Sequence, residues 1–226
     1  MPNDAVMRQG AVTRDGAVTG SGAVTGHGAV TGEGAVMGEG AVTGSGGVIR
    51  RLGSEVVYAN AWMSVREDEI ERPDGSRGIY GVVDKPDFAL VIPMEDDGFH
   101  LVQEFRYPVG RRTWSFPQGT VADVTDPVAM ARTELAEETG LGAGRIEPLG
   151  RLDNAHGTLA QRFHVFLATE LAPGEPRREH TEQDMVQQWV PRAEFERMVH
   201  EGEITDGCSL AAYALLLMRG QGRVAG

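Results

Sequence analysis

The chain has 226 residues, a formal net charge of −12 and one cysteine, Cys208. The acidic balance argues against a nucleic-acid partner, because phosphate backbones call for a basic surface. A lone thiol excludes an intrachain disulfide framework and suits a reducing, cytoplasmic setting, and neither a bilayer-spanning apolar run nor a secretion leader is expected, so no membrane partner either.

Residues 1–47 repeat GAVT-x-x with period six from Gly10 to Ser45, and a degenerate copy covers Gly46–Arg51. Units this rich in glycine, with valine as the only large apolar residue, bury too little to offset their ordering entropy. A disordered tail over 1–47 is expected, in preference to a small solenoid, and the start of the chain could also lie downstream of it. The remainder, 48–226, is expected to be one domain, since about 170 residues suffice for a single well-buried core.

Within that domain Val56–Tyr58 and Trp62–Ile70 read as strands, with Pro73-Asp74-Gly75 as a turn. Ile79–Val83, Ala89–Pro93 and His100–Glu104 read as further strands, the last two joined by a hairpin at Asp96-Asp97-Gly98. A strand-like WSFPQG run ends at Gln118-Gly119. Phe163–Ala168 and Gln187–Val190 are two more strands, and Pro191–Glu201 and Cys208–Met218 read as helices. SLAAYALLLM is apolar enough to pack on the sheet. Strands, one central helix, then strands and terminal helices indicate an α+β layered fold.

The central helix is the best-signalled element. Thr125 or Asp126 caps its start, Pro127 suits its first position and Gly140 its left-handed stop. Val128, Ala131 and Leu135 form the apolar stripe, with glutamates beside it. Glu134, Glu137 and Glu138 share one face, where like charges repel by a few tenths of a kcal/mol per pair. They also sit in the last turn, where the helix dipole disfavours anions. A bound hard cation compensates both penalties, and oxygen donors select Mg²⁺ or Mn²⁺. An ordinary solvated helix face fits these residues equally well.

The frame around the helix resembles the Nudix hydrolase signature: a Gly, five residues, a Glu, seven residues, then R-E-U-x-E-E-x-G-U, where U is bulky aliphatic. Gly119, Glu134, Leu135, Glu137, Glu138, Gly140 and Leu141 are in register. Thr125 and Thr133 replace the family's first Glu and its Arg, which normally brace loop against helix. Arg132 is one position out of phase. The flanks, including EVVYANAWMSVREDEI, LVQEFRYPVGRRTWSFPQG and EGEITDGCSLAAYALLL, resemble the ADP-ribose pyrophosphatase branch over roughly residues 50–220.

The resemblance implies a Nudix-type α/β/α sandwich with a mixed sheet. It implies a metal-dependent hydrolase of a nucleoside diphosphate linked to another moiety, ADP-ribose or a nucleotide sugar. Glu134, Glu137, Glu138 and the main-chain carbonyl of Gln118 are the expected ligands of two or more Mg²⁺ (or Mn²⁺) ions, and Glu137 is also a candidate for a direct catalytic role. Arg106, in QEFRYP, is the expected phosphate contact, with a surface ion pair as its ordinary alternative. Trp62 is a candidate for stacking on the base from a partner subunit, although a strand aromatic more often enters a core. Arg77, Arg111 and Arg112 are further basic candidates. In HTEQDM, Glu182 is the expected general base, with Glu179 and Asp184 as competitors. NAHGTLAQRF departs from the branch where the substrate pocket is shaped. The resemblance also implies a homodimer. A degenerate module that binds such a ligand without turnover is the alternative that Thr125 and Thr133 favour.

Overall fold

The computed structural model describes residues 48–120, 126–178 and 184–221. The tail over 1–47 and the positions Thr125, Glu179 and Glu182 lie outside the described residues.

The chain first makes an antiparallel sheet of β1 (Arg50–Ala59), β2 (Ser64–Glu71) and β3 (Arg77–Asp84), in the order β1-β2-β3. Asp74 forms the turn between β2 and β3 by accepting from the Ser76 amide at 2.9 Å. The strand expected from Trp62 begins instead at Ser64. Asn60 Oδ1 accepts from the amides of Trp62 and Met63 at 2.8 and 2.9 Å, which closes a tight bend ahead of β2.

The second sheet contains β4 (Phe88–Glu95), β5 (Gly98–Arg106), β6 (Arg111–Ser115), β7 (Gln118–Gly119), β8 (Gly142–Asp153), β9 (Arg162–Ala172) and β10 (Val186–Pro191). Its order is β10-β5-β4-β9-β8, with β6 on β5 and β7 on β4. β4 and β9 run parallel, from Phe88↔Phe163 to Pro93↔Ala168, while the other pairings are antiparallel. The sheet is therefore mixed. Asp96 and Asp97 make the hairpin turn between β4 and β5, with Asp96 in the left-handed region at φ 50°.

β4 is apolar without alternation because both its faces are covered. Ala89 and Val91 face α1 (Pro127–Thr139) together with Met130, Ala131 and Leu135. Leu90 and Ile92 face the other way, into a core with Phe195 of α2 (Arg192–His200) and Ala212 and Tyr213 of α3 (Gly207–Gln221). Phe99, Phe116, Phe195 and Tyr213 interlock there with ring centroids 4.7–5.7 Å apart, in edge and stacked arrangements favoured by the ring quadrupoles. One helix on one face and two on the other give the expected α/β/α layering.

Three local expectations need correction. Val128 does not join the apolar stripe of α1; it is 36 % exposed, and Met130 takes its place. Pro191 closes β10, so α2 starts one residue later, at Arg192. β8 went unpredicted because Gly142, Gly144, Pro148 and Gly150 interrupt any alternation, and a bulge falls between Pro148 and Gly150. Pro and Gly of this kind belong on edge strands, where β8 sits.

Candidate active site at the β7–α1 junction

The site starts with the caps of α1. Asp126, rather than Thr125, fills the N-cap, accepting from the Val128 and Ala129 amides at 3.2 and 3.3 Å. Pro127 occupies the first turn, and Gly140 ends the helix at φ 76°. Arg132, out of phase with the family's arginine, donates to the Ala143 carbonyl at 2.7 Å and so holds β8 instead.

Glu134 and Glu138 lie on the buried face of α1, not beside it. Glu134 is 6 % and Glu138 2 % exposed, whereas Glu137 is half-buried. Glu138 Oε2 accepts from the Gln118 amide at 3.3 Å. Glu134 packs against the next residue: a Cβ on Gly119 would meet its Oε2 and Oε1 at 2.6 and 2.7 Å. Two carboxylates thus close on two consecutive backbone positions, and β7 is pinned there by pairing Gln118 and Gly119 with Leu90 and Ala89 of β4.

The dipole penalty in the last turn of α1 is met by neighbouring donors. The Arg177 amide donates to the Glu137 carbonyl at 3.0 Å, and Arg178 Nε donates to the Glu138 carbonyl at 3.2 Å. These bonds satisfy carbonyls that the helix end leaves over and bring a guanidinium to its negative pole.

Arg106 forms an ion pair with Glu104 at 2.7 Å and lines a cavity with Pro108, Thr113, Ser115 and Asp206, of which Asp206 also bonds Gln118. Burial pushes the Glu104 carboxyl above the usual 4.5; Asp184 adds to the rise, while Arg106 and Arg112 oppose it. Asp184 is held by Arg112, whose Nη1 reaches Oδ2 at 2.5 Å and whose Nη2 reaches the carbonyl at 2.6 Å. Arg111 is committed elsewhere, to Thr205 Oγ1 at 2.7 Å. Arg77 stands at the exposed start of β3. Glu104 shares a strand face with Arg106 two residues on, but only the fold brings it near Arg112 and Asp184.

The segment Asn154–Gln161 forms a closed loop. Asn154 Nδ2 donates to Gln161 Oε1 at 3.0 Å, and Gln161 Nε2 donates to the Pro86 carbonyl at 2.6 Å. Tyr80 donates to the Gly157 carbonyl at 2.9 Å, which ties the loop to β3. Asn154, His156, Cys208 and Asp206 line a cavity of about 530 Å³ beside it. Burial pushes the Cys208 thiol up to about 12, with Asp206 adding to the rise.

Trp62 does not enter the core; it is 74 % exposed and lies along a shallow groove with Met63, Lys85 and Pro86. Asp206 was not anticipated from sequence: it accepts from Gln118 Nε2 at 3.0 Å. Among the described residues no three Asp, Glu, His or Cys side chains are arranged to hold a metal ion by themselves. Any ion at this junction would need the backbone and the ligand as further donors. No helix among them is long and apolar enough to cross a membrane.

Comparison with known proteins fits this geometry. A sequence model of the NUDIX domain matches residues 85–212, and one of the nucleoside diphosphate sugar hydrolase N-terminal domain matches 49–83, the β1–β3 sheet. An ADP-ribose pyrophosphatase of Mycobacterium tuberculosis (strain ATCC 25618 / H37Rv) is 34 % identical over 163 residues, 71 % of this chain and 79 % of that protein. One of Bacillus subtilis (strain 168) is 27 % identical over 168 residues, 74 % of this chain and 90 % of its own. A solved ADP compounds hydrolase superposes with TM-score 0.68 at 23 % identity, covering 79 % of this chain and 97 % of the other, and so supports the fold. Hydrolases of this family generally use divalent metal ions. With the domain match covering more than half its length, the chain belongs to the NUDIX family and is a NUDIX pyrophosphohydrolase.

Proposed function

We propose that the chain hydrolyses the diphosphate of ADP-ribose, to AMP and ribose 5-phosphate, or that of a related nucleotide sugar, with Mg²⁺ (or Mn²⁺) as cofactor. The observation that carries this reading is the closure of Glu134 and Glu138 on Gln118-Gly119, in a chain similar to ADP-ribose pyrophosphatases.

The donor chemistry fits a hard ion: carboxylate oxygens and a nearby main-chain carbonyl, with a glycine where a side chain would block approach. Glu134, Glu138 and the Gln118 carbonyl would hold the metal, with Glu137 at its margin. When bound, the metal neutralises the diphosphate and acidifies the attacking water. Arg106 contacts a phosphate oxygen from the cavity it lines, at the expense of its pairing with Glu104. Glu182 takes the proton from water. Asp184, held by Arg112, is a poor competitor for that role.

The same reading includes a homodimer formed through the β1–β3 sheet. Val56, Val57, Tyr58 and Ile79 are exposed on it, and a long exposed strand rich in apolar side chains is a pairing surface. Trp62, standing out at its end, stacks on the partner's base. The single thiol supports a cytoplasmic setting.

The test is turnover of ADP-ribose, NADH, GDP-mannose and ADP-glucose with Mg²⁺ or Mn²⁺. ADP-ribose is expected to release AMP fastest. Tight binding of the panel without release of AMP or GMP would overturn the enzymatic reading.

A further inference from the structure

We propose that Asp206 is a positioning residue that fixes the metal-facing backbone at Gln118. The inference rests on the reading above that the Gln118 carbonyl is a metal donor.

Asp206 stands just ahead of α3, and its carbonyl accepts from the Leu210 amide at 3.1 Å. Its Oδ2 accepts from the Ser209 amide at 2.9 Å, the ordinary bond of a helix N-cap. The same oxygen takes two further bonds that capping does not require: from Ser209 Oγ at 2.7 Å and from Gln118 Nε2 at 3.0 Å. Ser209 is fully buried, and its hydroxyl oxygen accepts from the Phe116 amide at 2.9 Å. One carboxylate oxygen therefore holds both residues that flank Pro117.

The rest of that tripeptide is held from the opposite side. The Pro117 carbonyl accepts from the Val91 amide at 2.9 Å, and the Gln118 amide donates to Glu138. Phe116–Gln118 is thus clamped between the start of α3 and the pair β4 and α1. Pro117 offers no amide hydrogen, so its carbonyl bond to Val91 and the amide bonds of Phe116 and Gln118 together fix this stretch. Asp206 also forms the wall common to the cavity lined by Arg106 and the one lined by Asn154 and His156. Outer partners of this kind set the direction of a donor rather than bind the ion, and losing one costs about 10–100-fold in metal affinity.

The experiment compares full-length wild type, Asp206→Ala, Asp206→Asn and Ser209→Ala by Mn²⁺ titration followed by electron paramagnetic resonance. Amide exchange at Phe116 without metal, and kcat and KM for ADP-ribose, complete it. Asp206→Ala is expected to weaken Mn²⁺ binding about tenfold and to lower kcat at limiting metal, with KM little changed. Ser209→Ala shifts both in the same direction and speeds exchange at Phe116; it carries the test if Asp206→Ala does not fold. Asp206→Asn, whose amide oxygen can take all three bonds, restores metal affinity to near wild type. Wild-type Mn²⁺ affinity in Asp206→Ala and Ser209→Ala, with only a lower Tm, overturns the positioning role and leaves the proposed activity standing. Absence of Mn²⁺ uptake by the wild type overturns both.

Discussion

Gly119 and Glu134 occupy one space: a methyl group on the first would sit 2.6–2.7 Å from both carboxylate oxygens of the second. Real Cβ atoms do not approach so closely, so Gly119→Ala must displace the Glu134 carboxylate or β7. We expect turnover to fall at least about tenfold, with a stability loss of about 1–3 kcal/mol from overpacking. Steady-state kinetics beside a urea melt checks this; wild-type kcat in the variant would remove Glu134 from the site.

Glu138→Gln keeps an acceptor for the Gln118 amide and removes a charge. Its Tm should stay close to wild type, while kcat falls about 100-fold or more, as expected where the charge rather than the packing serves the metal. Full activity in this variant would show the metal assignment to be wrong. Glu137→Gln, at a half-buried position, should lose less.

Cys208 provides a test in the cavity that it lines with Asn154 and His156. Its thiol is pushed from 9.0 up to about 12, mainly by burial. A raised pKa leaves the group neutral until higher pH, so near pH 8 its thiolate fraction is lower by roughly 10³, three decades for three units. Iodoacetamide at pH 8 should label the native protein far more slowly than the urea-unfolded chain. Equal rates in the two states would contradict the burial.

Glu104 gives the pH dependence of stability. Its folded pKa lies above the usual 4.5, so the folded state prefers the protonated acid. Its contribution to stability is therefore greatest below 4.5 and is lost as pH rises through the folded value. The difference in Tm between Glu104→Gln and wild type should move in favour of the variant as pH is raised above 4.5. A difference independent of pH would exclude the shift.

Deleting residues 1–47 should leave kcat and Tm unchanged, the latter within about 2 °C. A large drop in either, by calorimetry or turnover, would give the repeat a structural part. If the proposed dimer forms through this sheet, Ile79→Asp, on the exposed face of β3, should sediment as a monomer at micromolar concentration where the wild type sediments as a dimer.

The sequence was most legible where local chemistry decides the outcome. Asp126, Pro127 and Gly140 mark the ends of α1 because caps depend on immediate neighbours. Asp96-Asp97 marks its hairpin for the same reason. Burial was harder to read. The stripe of Val128, Ala131 and Leu135 placed the glutamates at the margin, whereas the helix turns Met130, Glu134 and Glu138 inward. Hydrophobicity alone assigns a buried carboxylate to the wrong side. Long-range partners were invisible: Asp206 meets Gln118 across 88 positions, and Arg112 meets Asp184 across 72. Nothing near either residue in the chain announces such a meeting.

The side-by-side pairing of β4 and β9 has a consequence for how the protein comes into being. Phe88 waits for Phe163, so during synthesis the most apolar strand stays unzipped on one side until most of the domain has left the ribosome. Contacts so distant along the chain are slow to form, and the exposed edge is open to wrong partners meanwhile. Nascent chains stalled before β9 are therefore the species that chaperones must shield, and truncations ending there should be recovered as inclusion bodies.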